Sequence, residues 1–314
     1  MSPKQLKLIG VLLGVAVLLY LLPRVFGGDE GRGTLSVSGG FVFQLPDPPT
    51  RVDVILRPEH DTVRLERTTT GWTVDGFRAD SAKVANLLDV IVDLGSDLLV
   101  ARNPGNHFAM GVSADSGRLV EVYTEAGGPL GFHLGKRDLA AGGYFVRQPG
   151  ADAVFRLEGP AGGYLGRDRD GWRDRAIARV DTATVREIFI RRGDDELVIR
   201  RAPGIWQVDG APADTSAVAG ALRTLAAIGA TGFPTDEEAA AADFTNPDIE
   251  VDIFAEAAGD VTDRDLVLSL RLIADDGGDW LIRKADDVEI YHLADYIVNR
   301  LVPERSALVD EPEP

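Results

Sequence analysis

The sequence predicts an α+β protein of two tandem duplicated domains, each about β3-α-β4-α with mainly antiparallel strands, preceded by one N-terminal transmembrane helix. Three observations predict it. Gly71-Trp72-Thr73-Val74-Asp75-Gly76 returns as Ile205-Trp206-Gln207-Val208-Asp209-Gly210. In both copies, alternating hydrophobicity gives way to helical spacing at an aspartate, Asp80 or Asp214. A charge-free apolar run stands near the N-terminus.

The duplication is wider than its motif. At an offset of 134, residues 50–95 lie on 184–229 without a gap, and 14 of the 46 positions are identical. Chance would give roughly three. The chain has 314 residues, 45% hydrophobic and 26% charged, enough for two such cores once the N-terminal segments are set aside.

Taken in order, Leu8–Leu22 is the apolar run, and its fifteen residues reach only about 22 Å as a helix. Extending it from Leu6 to Phe26 approaches the bilayer's hydrocarbon thickness of about 30 Å if Lys7 and Arg24 reach the interface. No Ala-x-Ala cleavage site follows, so residues 1–26 read as an uncleaved anchor. Lys4 and Lys7 favour an inward N-terminus, which places the bulk of the chain outside the cytoplasm. Residues 27–49, rich in Gly, Ser and charge and then in Pro, read as a tether.

Repeat domain one is expected over 50–183 and repeat domain two over 184–310, with 311–314 as a tail. Val52, Val54 and Leu56 alternate with charges as a first strand; Val63 and Leu65 mark a second, and Trp72–Val74 a third. Asp75-Gly76 is a tight-turn signal. Asp80 is a natural N-cap for a helix carrying Val84, Leu87, Leu88, Ile91 and Leu94, and Gly95 sits where a left-handed cap belongs. Asp214, Val218, Ala221, Leu222, Leu225, Ile228 and Gly229 repeat each device. A weaker, gapped match then pairs 119–125 with 250–256, 144–147 with 280–283, and 154–157 with 290–293, all read as strands. Tyr164 and Tyr296 open short helical stretches.

A hydrophobic N-terminus, a hairpin leading to Trp-x-Val at Trp72 and Trp206, an Asp-capped helix, Phe108 and Phe244, Tyr144-Phe-Val-Arg147 and Trp172-Arg-Asp-Arg175 together resemble domain-of-unknown-function family 4340 over residues 50–310. The aromatic-Gly-Leu-Pro element is degraded to Phe108-Ala-Met-Gly-Val and Phe244-Thr-Asn-Pro247. The resemblance implies a bacterial envelope protein encoded beside ABC exporters of the gliding-motility type, with an accessory role. It supplies no catalytic residues.

The residues themselves favour no reaction. Cysteine is absent, which excludes disulfides, thiolate metal sites and a cysteine nucleophile. His60, His107, His133 and His292 have no metal-ligand spacing, and no phosphate-binding Gly-x-x-x-x-Gly-Lys or Gly-x-Ser-x-Gly motif occurs; Ser36 and Ser38 lie in the tether. Asp260-Val-Thr-Asp263-Arg-Asp265 and Asp275-Asp276-Gly-Gly-Asp279 offer oxygen ligands but lack the register of a calcium loop, and read as solvated hairpin tips. Trp72 and Trp206 read as core packing rather than sugar stacking. The run Arg167-Asp-Arg-Asp-Gly-Trp-Arg-Asp-Arg175 reads as a clamp between the copies.

Charge is uneven: 17 Lys/Arg against 19 Asp/Glu over 50–183, but 12 against 28 over 184–314. Such an acidic half repels nucleic acid. The expectation is therefore a non-enzymatic, membrane-anchored extracytoplasmic accessory or scaffolding protein of the bacterial inner membrane, single-pass and mostly periplasmic. It needs no catalytic, cofactor-binding or metal-binding residue and no cofactor. Its partners are the membrane, through the N-terminal helix, and a protein, with ABC transporter subunits implied by the resemblance. The alternatives are a glycan- or peptide-binding module in a groove between the repeats and an envelope hydrolase using Asp/Glu pairs.

Overall fold

The computed structural model describes residues 39–57, 59, 61–257, 260–275 and 277–309, with only the main chain of 257 and 260–263. The elements run β1 (Phe41–Gln44), β2 (Pro49–Arg57), β3 (Thr62–Thr68), β4 (Gly71–Val74), β5 (Phe77–Arg78), α1 (Ser81–Ile91), β6 (Asp93–Ser96), β7 (Leu99–Ala101), α2 (His107–Met110), β8 (Gly117–Thr124), β9 (Gly127–Arg137), β10 (Tyr144–Arg147) and β11 (Val154–Leu157). They continue with α3 (Ala161–Tyr164), α4 (Arg169–Trp172), β12 (Ala176–Ala178), β13 (Val185–Arg192), β14 (Asp195–Ala202), β15 (Ile205–Val208), β16 (Ala211–Pro212), α5 (Thr215–Ala226), β17 (Ile228–Gly229) and α6 (Asp236–Ala241). The chain ends with β18 (Ile249–Ala257), β19 (Asp260–Ala274), β20 (Trp280–Lys284), β21 (Tyr291–Leu293), α7 (Asp295–Leu301) and α8 (Arg305–Leu308).

The described chain forms two compact units. The first comprises residues up to Arg64 together with Ala85–Gly166; the second comprises Leu65–Val84 and everything from Arg167. Residues 65–84, which the repeat in the sequence assigns to the first copy, thus count with the second unit.

In the first unit the strands lie in the order β3-β2-β8-β9-β10-β11-β7, with β1 and β6 paired separately. The alternation of β2 and β8 turns Val52, Val54, Val120 and Val122 to one side, where they are buried with Phe132 and Leu134 of β9. Phe41 and Phe43 pack edge-on against Phe132, with ring centroids 5.7 and 4.9 Å apart. Leu87 and Ile91 of α1 are buried as well.

In the second unit the order is β16-β15-β14-β13-β18-β19-β20-β21, with β12 paired to β17. Its core is aliphatic: Ile188, Ile190, Ile199, Val251, Ile253, Leu270 and Ile282 from the sheet, with Val218 and Leu225 of α5 and Leu301 of α7. Residues 65–68 of β3, in register with β4 from Leu65↔Val74 to Thr68↔Gly71, and β4 and β5 belong to this unit.

The two copies use the same local devices. Asp75 and Asp209 both have φ 49°, followed by Gly76 and Gly210 at 89° and 91°, the left-handed pair that a two-residue hairpin turn requires. Asp80 Oδ1 accepts from the backbone N–H of Ala82 and Lys83 at 3.0 and 3.2 Å, and Asp214 Oδ1 from that of Ala217 at 2.7 Å.

The expected fold class needs correction. Strand makes up 45% of the described residues and helix 21%, so this is a mostly β protein with large antiparallel sheets and not a tandem β-α-β-α fold. The helical stretch expected around Tyr164 shrinks to the four-residue turns α3 and α4, while segments around Asp93–Ser96, Leu99–Ala101 and Ala176–Ala178 pair as extra short strands. Gly95 and Gly229 likewise lie in strands, β6 and β17, rather than in left-handed caps.

The membrane partner and the single-pass inner-membrane location are also corrected. No helix among the described residues is long and apolar enough to cross a membrane. The segment Leu6–Phe26 on which that expectation rested lies outside the described residues.

Candidate functional site

Within the second unit, charged side chains meet at the turn that follows β4. Asp75-Gly76 brings β5 back along β4, and Arg78 then runs beside the 172–174 segment. Asp174 N–H donates to Arg78 O at 2.9 Å and Asp80 N–H to Trp172 O at 2.8 Å. That segment is held by α4, whose cap, Asp168 Oδ1, accepts from Gly171 N–H at 2.7 Å. Trp172 and Arg173 are 0% and 2% exposed. The Arg173 guanidinium lies between two rings, 3.9 Å from Phe77 and 3.8 Å from Phe233.

Arg78 is the hub. Its Nε donates to Asp174 Oδ2 at 3.1 Å, its Nη2 to Ala176 O at 2.7 Å and to Tyr291 Oη at 3.0 Å. Its backbone N–H donates to Glu289 Oε1 at 2.6 Å, and Tyr291 Oη donates to Glu289 Oε2 at 2.8 Å. Burial lowers the Arg78 pKa, but Tyr291, Asp174, Glu289 and Asp287 raise it further, leaving the group firmly cationic. Burial raises the Tyr291 hydroxyl, and its bond to Glu289 adds to that. Burial also lowers the Arg173 guanidinium, opposed by Glu289 and Asp170. The loop presenting Glu289 is shaped by Asp287, whose Oδ1 accepts from Val288 and Glu289 N–H at 2.8 and 3.2 Å and whose Oδ2 lies 3.0 Å from Lys284 Nζ. Hydrogen bonds join Arg78, Asp174, Glu289 and Tyr291 into one network, so the cluster works as a latch.

Beside the latch is a pocket of about 600 Å³, lined by residues 177–179, 266–269 and 284–286. Of the lining residues Ile177 and Leu268 are buried, while Leu266 and Val267 are 54% and 48% exposed. β19 is paired to β18 along its length but to β20 only over Leu270–Ala274. Ala285 N–H donates to Ser269 O at 2.9 Å and closes one end. β12 pairs with β17 alone among the described strands. The pocket is thus a groove flanked by strand edges, and no aromatic residue lines it.

The other residues considered in the sequence are scattered. His107 Nε2 is 2.8 Å from Asp152 O, and His133 lies on β9. Burial, then Arg147, Arg57 and His107, lower His133 to about 4. His292 is brought near an acidic loop, Nδ1 3.5 Å from Asp275 Oδ2 and Nε2 3.8 Å from Glu238 Oε2, a meeting that spacing did not foretell. Asp275 Oδ1 is already occupied by Gly277 and Asp279 N–H at 2.6 and 3.2 Å. Among the described residues no group of three or more His, Cys, Asp or Glu is placed to hold a metal ion. Trp72 and Trp206 stand on β4 and β15 but are only half-buried. His60, Asp276, Ser36 and Ser38 lie outside the described residues, as do the side chains of Asp260 and Asp263.

Two features escaped the sequence reading. Arg78 occupies the place where the second copy has Pro212, one of many differing positions in the repeat, so no sequence signal singled it out. Asp53 and Glu187, 134 residues apart, are both buried carboxylates, paired with Arg64 at 3.0 Å and Arg200 at 2.6 Å. An acid kept at one offset in both copies was the clue there.

A family model described as Domain of unknown function (DUF4340) matches residues 72–247. No curated protein and no solved structure matches.

Proposed function

The chain belongs to the DUF4340 family, and on that footing we propose that it is a non-enzymatic accessory or scaffolding protein that holds a partner polypeptide. The observation that carries this reading is the groove between β12 and β19, whose walls are strand edges and whose exposed apolar residues are Leu266 and Val267. Exposed main-chain edges are templates for other polypeptides. A glycan reading is less well supported, because no aromatic ring lines the groove for a sugar to stack on. The polypeptide partners that the family resemblance implies are subunits of an ABC-type export system.

The test is affinity capture of the full chain at its natural expression level, with retained chains identified by mass spectrometry. Specific enrichment of exporter subunits over a mock capture is expected. Capture of the tagged chain alone would sink the proposal.

A further inference from the structure

We propose that the groove in the second unit takes an extended segment of the partner as an added β-strand, with one carboxylate of that segment against Arg179. This rests on the scaffold reading and names its ligand class.

The lining carries the argument. Successive side chains of a strand point to opposite faces, so consecutive residues line a groove only where the main-chain edge itself faces it. Here the lining residues are consecutive on both walls, Ile177 and Ala178 of β12 with Arg179 just beyond it on one side and 266–269 of β19 on the other. The pairing agrees: β20 meets β19 only from Leu270 onward, and β12 has β17 as its single partner among the described strands. Four strand residues span about 13 Å. An extended peptide of that reach supplies N–H and C=O groups to such edges, which is how β-strand addition gains affinity.

Charge selects among peptides. Arg179, exposed at the groove, forms no ion pair among the described residues, whereas Lys284 is held by Asp287 at 3.0 Å. Asp286 also lines the groove, and the chain carries 50 Asp+Glu against 33 Lys+Arg, so a strongly acidic segment is repelled. The occupant that fits is apolar at alternate positions, to cover Leu266 on one face, and bears a single carboxylate.

The probe is a fluorescently labelled synthetic peptide of alternating Val and Thr with one Asp, titrated against the full chain by anisotropy. A second peptide has the same side chains but alternate backbone amides N-methylated. Saturable binding of the first is expected, weakened at least roughly tenfold by N-methylation and several-fold by Arg179→Glu. Ala285→Trp, at an exposed lining position, should abolish binding while circular dichroism shows the fold retained. No saturable binding, or equal binding of the N-methylated peptide, overturns strand addition. If Ala285→Trp still captures exporter subunits, strand addition fails and the scaffold reading stands; if the unaltered chain captures none, the scaffold reading itself fails.

Discussion

A methyl group added to Gly117 would lie 1.7 Å from the carbonyl oxygen of Gly111, at φ 75°. A methyl on Gly76, at φ 89°, would meet nothing within 4 Å. Strain alone operates at Gly76, so Gly76→Ala should cost about 1 kcal/mol. Gly117→Ala adds a backbone clash and should cost about 3–5 kcal/mol, near the top of the range for single substitutions. Urea unfolding of both variants checks this, and equal losses would show that the close approach at Gly117 is absent. His133 gives a pH test. Its pKa falls from 6.5 to about 4 in the folded chain, so the unfolded chain binds more protons between those values. Stability should therefore fall as the pH drops from 6.5 to about 4. The loss should be about 1–2 kcal/mol after discounting for a half-buried group. His133→Gln should lose less over the same interval, and parallel curves would contradict the burial argument. Asp75-Gly76 was legible in the sequence because turn chemistry is local; Gly117 was not, because its constraint comes from the carbonyl of Gly111, six residues earlier, which the fold brings against it.

Among the elements, the latch around Arg78 makes the sharpest claim. Glu289→Ala would leave the Arg78 N–H and the buried Tyr291 hydroxyl without their acceptor, at an expected cost of about 3–5 kcal/mol. Glu289→Gln keeps an acceptor and should cost less. A loss below about 1 kcal/mol for the alanine variant would mean that the latch is ornamental. Trp206→Ala should cost about 1–2 kcal/mol, since the ring packs against the margin of the core and is only half-buried. Strands β2, β4, β8, β13 and β15 were readable from alternation, and helices α1 and α5 from their aspartate caps and apolar stripes. The latch was hidden because Arg78, Asp174 and Glu289 are up to 211 residues apart, and no local pattern encodes such a meeting.

On the scale of the whole molecule, a duplicated sequence built two large antiparallel sheets in place of two α+β units. The helical signals held over α1 and α5 but ended early, at Ile91 and Ala226, where pairing between distant segments such as β12 and β17 takes over, which periodicity does not see. The groove between β12 and β19 is a product of that long-range pairing, so spacing in the sequence never pointed to it. In the proposed complex these two edges hold a partner's strand. The most direct test is amide hydrogen exchange of the full chain with and without saturating Val/Thr/Asp peptide. Slowed exchange confined to residues 177–179 and 266–269 is expected, because added main-chain hydrogen bonds protect the edges that make them. Unchanged exchange at both edges, with protection elsewhere or nowhere, would contradict it.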